Sequence, residues 1–259
     1  MENNRFVFMQ NQYTGGCLPC TSTEFDRLVD DPDVAWKISM RQAVEAAVNG
    51  GRPLQQFVLH PRFQDYCKRE EAKGEAGGKF RQLTDGQKLL RWVSCLKSSL
   101  PCLVFAVSAF EAVPRLGKDG QPVLDASGQP VLYQRRTLEG IRQLSGLFMF
   151  DADHLPMDPH EVFLRTQVSG FPWQVGLCHK TSSGHGLRLV CEARPELGNI
   201  ADNQIELARE LQLLGVTGTT GKPVVDDSCI DASRISYCPR REDIYSVDYQ
   251  ILFNSKTLC

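Results

Sequence analysis

The chain has 259 residues, 42% of them hydrophobic, with 29 Lys and Arg against 31 Asp and Glu and a formal charge of −2. That length buries one large core or two packed ones, and the near balance of charge excludes a globally basic nucleic-acid binder, so contact with a polyanion needs a local basic surface. The start MENNRFVFMQ lacks the basic and then apolar pattern of a secretory signal, and no apolar run approaches the roughly 20 residues of a membrane span.

Residues 5–9 (RFVFM) predict a strand, Thr14-Gly15-Gly16 a turn, and 40–48 an amphipathic helix stopped by Asn49-Gly50-Gly51. The stretch 68–79 (KREEAKGEAGGK) is charged and carries three glycines, which predicts an exposed, mobile linker. It sets a soft boundary between an N-terminal α/β region (1–80) and a second domain (81–259). Residues 85–96 place Leu89, Leu90, Val93 and Leu96 on one side of a helix, and 102–110 read as an apolar strand. The phrase DGQPVL from Asp119 returns as SGQPVL from Ser127, a spacing suited to a protruding hairpin. From Leu147 the chain alternates short strands (147–150, 173–178, 187–191, 235–238, 247–253) with helices. One helix opens at Asp158-Pro159 with Glu161, and another covers 201–214 with Leu207, Leu211 and Leu214 on one face. This order predicts an α+β fold.

Ten cysteines include one close pair, Cys17 and Cys20. Without a partner pair this reads as a turn rather than a zinc site. Cys178 and Cys191 sit in apolar runs, where a thiol packs as a small hydrophobe, so reduced cysteines and a cytoplasmic setting are expected.

Three segments carry chemistry. Asp151 and Asp153 follow the apolar run Leu147-Phe148-Met149-Phe150, and alternation on a strand points both carboxylates to one side, where they can share a Mg²⁺ or Mn²⁺ ion. A solvated, Asp-rich strand end is the bland alternative. Lys180-Thr181-Ser182-Ser183-Gly184-His185-Gly186 lies between two apolar strands; its glycines admit a ligand close to the backbone, and its hydroxyls, His185, Lys180 and the following Arg188 suit phosphate oxygens, though an ordinary hairpin turn has the same composition. The third, VVDDSCIDASRISY from Val224, crowds Asp226, Asp227 and Asp231 ahead of Arg234; it offers a further metal ligand, or a surface loop in which Asp231 and Arg234 pair.

The order of the three motifs resembles the archaeo-eukaryotic primase and primase-polymerase superfamily. FMFDADHL after Ser145-Gly146-Leu147, with SSGHGLRLV and DDSCIDASRISY, is similar more closely to the primase-like domain of VirE-type proteins from mobile elements of Bacteroides-like bacteria, over about residues 96–253. The resemblance implies an RRM-like antiparallel sheet with packed helices beside the N-terminal α/β module. It implies a DNA primase or primase-polymerase acting in replication of a mobile element on a single-stranded DNA template with nucleoside triphosphates. Asp151, Asp153 and Asp226 match the ligands of two Mg²⁺ or Mn²⁺ ions, with Asp227 and Asp231 competing for the third place. Ser183 and His185 match the pair on the incoming nucleotide's phosphates, His185 orienting it for catalysis, and Arg234 matches a recurrent Arg of the closer family; Lys180 and Arg234 are further candidates for binding the nucleotide, and a helicase would come from a partner or from a larger protein. Arg135, Arg136 and Arg142 are candidate template cations. A metal-dependent nuclease and a catalytically idle, nucleic-acid-binding or partner-binding module remain alternatives.

Overall fold

The structure is a computed structural model and describes residues 5–13, 16–225 and 230–254. In chain order it contains β1 (Phe6–Met9), β2 (Leu18–Cys20), α1 (Ser22–Val29), α2 (Pro32–Asn49), α3 (Gln55–Val58), α4 (Pro61–Glu71), α5 (Gly74–Arg81) and α6 (Asp85–Ser98). Then come β3 (Cys102–Val104), β4 (Val107–Phe110), β5 (Ala112–Pro114), β6 (Leu132–Gln134), β7 (Ile141–Leu144) and β8 (Leu147–Ala152). The remainder is α7 (Pro159–Arg165), β9 (Val175–Lys180), β10 (Leu187–Glu192), α8 (Ile200–Glu210), β11 (Ser236–Tyr237), β12 (Ile244–Val247) and α9 (Tyr249–Phe253). The fold is α+β, as the alternation of elements predicts.

Two antiparallel four-stranded sheets organise it, one in the order β11-β3-β1-β2 and the other β12-β9-β10-β8. In the second, β8, α7, β9 and β10 form a split βαβ arrangement, with β10 between β8 and β9, while β12 adds beside β9 rather than beside β8. This order does not establish the RRM-like detail of the expectation. Each sheet gives one face to a shared core: Phe6, Phe8 and Leu103 meet Leu147, Met149, Leu177 and Val190, with Phe25 and Phe253 closing the cluster. The far face of the second sheet, carrying Phe148, Phe150, Cys178, Leu189 and Cys191, is covered by Val162 of α7 and Leu207 and Ala208 of α8. Cys178 and Cys191 are thus packed as apolar side chains, and burial raises both thiols far above their ordinary pKa.

Several elements differ from expectation for local reasons. The 68–79 stretch, expected as a linker, lies mostly within α4 and α5; Phe63, Tyr66 and Phe80 face α6 in a helical core, and a Cβ on Gly77 would fall 2.3 Å from the Glu71 carbonyl oxygen, so the two helices meet closely there. The predicted helix over 40–48 begins earlier, at Pro32, because Asp31 caps it by accepting from the Asp33 N–H and proline tolerates the first turn. The single strand over 102–110 is two: β3 pairs with β1 and β4 with β7, and at the break Ser145 donates to the carbonyls of Phe105 (2.5 Å) and Ala106 (3.0 Å). The strand over 247–253 is replaced by the end of β12 and by α9, whose amides at Gln250 and Ile251 donate to the Asp248 cap. Leu214 is 53% exposed and Leu213 is buried in its place, since Gln212 turns the chain with φ 53° just after α8. The repeated phrases form an exposed double turn between β5 and β6. Thr14 and Gly15 of the predicted turn lie outside the described residues. No described helix is long and apolar enough to cross a membrane.

Arg5, 7% exposed, ties the sheets at one end by donating to Ser145 O (2.8 Å), Ile251 O (2.5 Å) and the Glu192 carboxylate (3.0 Å). Removing it leaves Glu192 and two carbonyls without that donor. Arg5→Ala is expected to lower stability by about 3 to 5 kcal/mol in urea titration, whereas a surface pair such as Lys79–Glu75 contributes within about 1 kcal/mol.

Candidate active site

β8 alternates its side chains, sending Phe148, Phe150 and Ala152 into the helix-covered core and Leu147, Met149 and Asp151 toward the first sheet. Asp151 is 2% exposed and ion-pairs with Arg188, its direct partner across the β8–β10 ladder. Arg188 also donates to Ser236 Oγ (3.0 Å) on β11, so its guanidinium spans both sheets. Next in that row, across the β10–β9 ladder, stands His179. It is buried, and its Nδ1–H donates to Lys180 O (2.8 Å), which leaves Nε2 as a bare acceptor without a partner among the described residues. Burial first, and the Arg188 charge second, push its pKa down to about 3, so the ring is neutral.

Beyond β8 the chain turns sharply at His154, φ 54°, and is pinned on both sides. Asp153 N–H donates to Val224 O (2.8 Å), Leu155 N–H to His185 O (2.9 Å), and Thr219 N–H to His154 O (2.9 Å). The Thr181–Gly186 hairpin lies directly against this turn. A Cβ on Gly186 would come within 2.6 Å of Ala152 O and 2.7 Å of Asp153 Oδ1, so only glycine permits the approach. From the other side α2 clamps the hairpin, Arg41 donating to Ser182 Oγ (2.5 Å) and Gln42 to Ser182 O (3.4 Å).

These elements enclose a cavity of about 610 Å³ that brings together Asp151, Asp153, Ser183 and Arg234 of the predicted residues. Lys180 and His185 line an adjoining cavity of about 860 Å³ that shares Arg41, His154 and Ser183 with the first. Asp226 and Asp227 lie outside the described residues. Asp231 lines the first cavity, and rather than pairing with Arg234 its carboxylate accepts from Ser233 N–H (2.7 Å) and Oγ (2.8 Å), which shapes the loop. Of the template cations, Arg136 lines the first cavity, while Arg135 and Arg142 pair with Glu111.

Sequence motifs alone do not reveal Arg41 and Lys97, which arrive from α2 and α6, or Gln12, whereas Tyr237 closes the third motif. Arg41 and Lys97, with Arg136, Arg188 and Arg234, put five cations against three carboxylates among the described residues of the cavity wall. Burial first, then the Arg41 and Arg188 guanidiniums, hold the Lys97 ammonium below its ordinary pKa, with Asp153 and Asp151 opposing. An anion entering this cavity meets donors already in place. The acid pair offers oxygen ligands of the kind that hold Mg²⁺ or Mn²⁺, which complete their coordination with water and substrate phosphate. Among the described residues no group of three His, Cys, Asp or Glu side chains is placed to hold a metal.

His179 makes stability depend on pH. Below its ordinary pKa of 6.5 the unfolded ring takes up a proton that the folded one refuses until about pH 3. Its contribution is therefore fully present above pH 6.5 and is lost as pH falls toward 3. Urea midpoints at neutral pH and at about pH 5 are expected to show an acid loss larger in the wild type than in His179→Gln, by roughly 2 kcal/mol.

No protein-family model, curated protein or solved structure matches the chain.

Proposed function

We propose that the chain is a metal-dependent nucleotidyltransferase of primase or primase-polymerase type, joining nucleotides on a single-stranded DNA template in replication of a mobile element. The observation that carries this reading is the meeting of Asp151 and Asp153 with Arg41, Lys97 and Arg136 and with serine hydroxyls in one cavity. A nucleoside triphosphate with its metal requires that mixture: carboxylates for the ion, and guanidinium, ammonium and hydroxyl donors for phosphate oxygens.

Asp151 and Asp153 would hold Mg²⁺ or Mn²⁺, with Asp226 proposed as a third ligand, and the oxygen-only donor pair fits such an ion. When bound, the metal supplies charge neutralisation at the triphosphate and activation of the attacking hydroxyl. The protein's own groups position. Arg188 holds Asp151 in place; Arg41, which fixes Ser182, and Lys97 supply charge for phosphate oxygens. Ser183 lines the same space, while Lys180 and His185 would reach the substrate from the adjoining cavity. Arg234, exposed at the rim, adds a further phosphate contact. Strand separation would come from a helicase partner.

The buried Asp151–Arg188 pair also favours a second reading, an idle primase-like module that binds nucleic acid, since one acid of the pair already has a cationic partner. Labelled-nucleotide incorporation on single-stranded DNA, with and without primer and in Mg²⁺ then Mn²⁺, separates the two. The enzyme reading expects metal-dependent product that falls at least about a hundredfold in Asp151→Asn and in Asp153→Asn. DNA binding without incorporation in either metal would establish the idle module instead.

A further inference from the structure

The cavity that holds the acid pair does not end at its own wall. It shares Gln12 and Arg136 with a cavity of about 320 Å³ that is lined also by Tyr13, Cys17, Tyr133 and Arg135. This second space lies between the end of β1 and the base of the double turn that joins β5 to β6. Its position is fixed from the floor of the first cavity. Tyr237 on β11 donates to Gln12 Oε1 (2.5 Å), and the Lys97 ammonium lies over the Tyr237 ring at 5.1 Å. The backbone amide of Tyr13 then donates to Asn11 Oδ1 (2.9 Å), forming the turn that presents the Tyr13 ring.

Two features make this space suited to one kind of occupant. Tyr13 is 77% exposed and Tyr133 39% exposed, and neither ring packs against another aromatic ring among the described residues. Large exposed aromatic faces flanking a groove offer every nucleobase a stacking surface regardless of sequence. Arg136 stands between them and the acid pair, has no carboxylate partner among the described residues, and is placed to meet a backbone phosphate. Aromatic faces in series with an unneutralised cation, continuous with a phosphate-handling cavity, match a single nucleic-acid strand better than a folded protein surface.

We propose that the groove from the acid pair past Arg136 to Tyr13 and Tyr133 is the track of a single-stranded nucleic acid, with the two tyrosines stacking its bases. The inference rests on the proposed function and adds the path of the strand. Arg136 grips a phosphate between the reacting end and the stacked bases, and the arm of residues 112–134 forms one bank of the track.

Fluorescence anisotropy with a labelled oligodeoxythymidine, in the absence of divalent metal, reads strand binding apart from catalysis. Tyr13→Ala/Tyr133→Ala is expected to weaken binding by about tenfold or more, and Tyr13→Phe/Tyr133→Phe to keep it within about twofold, because phenylalanine retains the stacking face. Arg136→Gln is expected to weaken binding and to reduce the salt dependence by about 0.7 in the log–log slope, the share of one phosphate on a single strand. Wild-type affinity in the double alanine variant, or equal losses in the alanine and phenylalanine variants, would overturn the stacking track while leaving the proposed function standing. A wild-type protein that binds no oligonucleotide would overturn both.

Discussion

The guanidinium of Arg188 sits where the two sheets meet, and the site depends on it. It pairs with Asp151 on the neighbouring strand and donates to Ser236 on the opposite sheet, with neutral His179 beside it in the same row. Burying a charge costs several kcal/mol unless it is paired and hydrogen-bonded, and here the pairing partner is the first acid of the catalytic candidate. Packing and chemistry are therefore one problem in this molecule. The apolar row Leu147, Met149, Leu177 and Val190 closes the sheets together, and the polar row Asp151, Arg188 and His179 continues the same face to the cavity edge.

Charge then decides what the cavity can hold. Carboxylates alone would favour a bare cation, and cations alone an inorganic anion. The mixture, with Lys97 held below its ordinary pKa by burial and its cationic neighbours, is the one that the proposed metal-bound triphosphate requires. α2 and α6 supply Arg41 and Lys97, so the N-terminal helices contribute directly to the wall of the site.

Local signals were legible in the sequence. The cap and proline at Asp158-Pro159 start α7 as read, and the step of two between Asp151 and Asp153 does place both on one cavity. What was hidden depends on tertiary register. His185 attracts attention beside the glycines, yet Arg188 is the residue opposite Asp151, because the antiparallel ladder pairs those two positions. A signal existed: Arg188 is a charge inside the apolar strand run Leu187 to Cys191, facing the side of Val190. Arg41 and Lys97 carry no comparable mark, since helices distant in sequence from β8 bring them to the site. The polar 68–79 stretch reads as a linker because its helices bury few side chains of their own and rely on Phe80 and Tyr66 against α6.

If the cavity between the sheets takes a metal-bound triphosphate, anomalous diffraction from crystals grown with Mn²⁺ and a non-hydrolysable nucleoside triphosphate will show it most directly. The expected result is a manganese peak on the Asp151 and Asp153 carboxylates with phosphate density reaching toward Arg41, Lys97 and Ser183. Nucleotide bound elsewhere, or a cavity without manganese at saturating ligand, would contradict it.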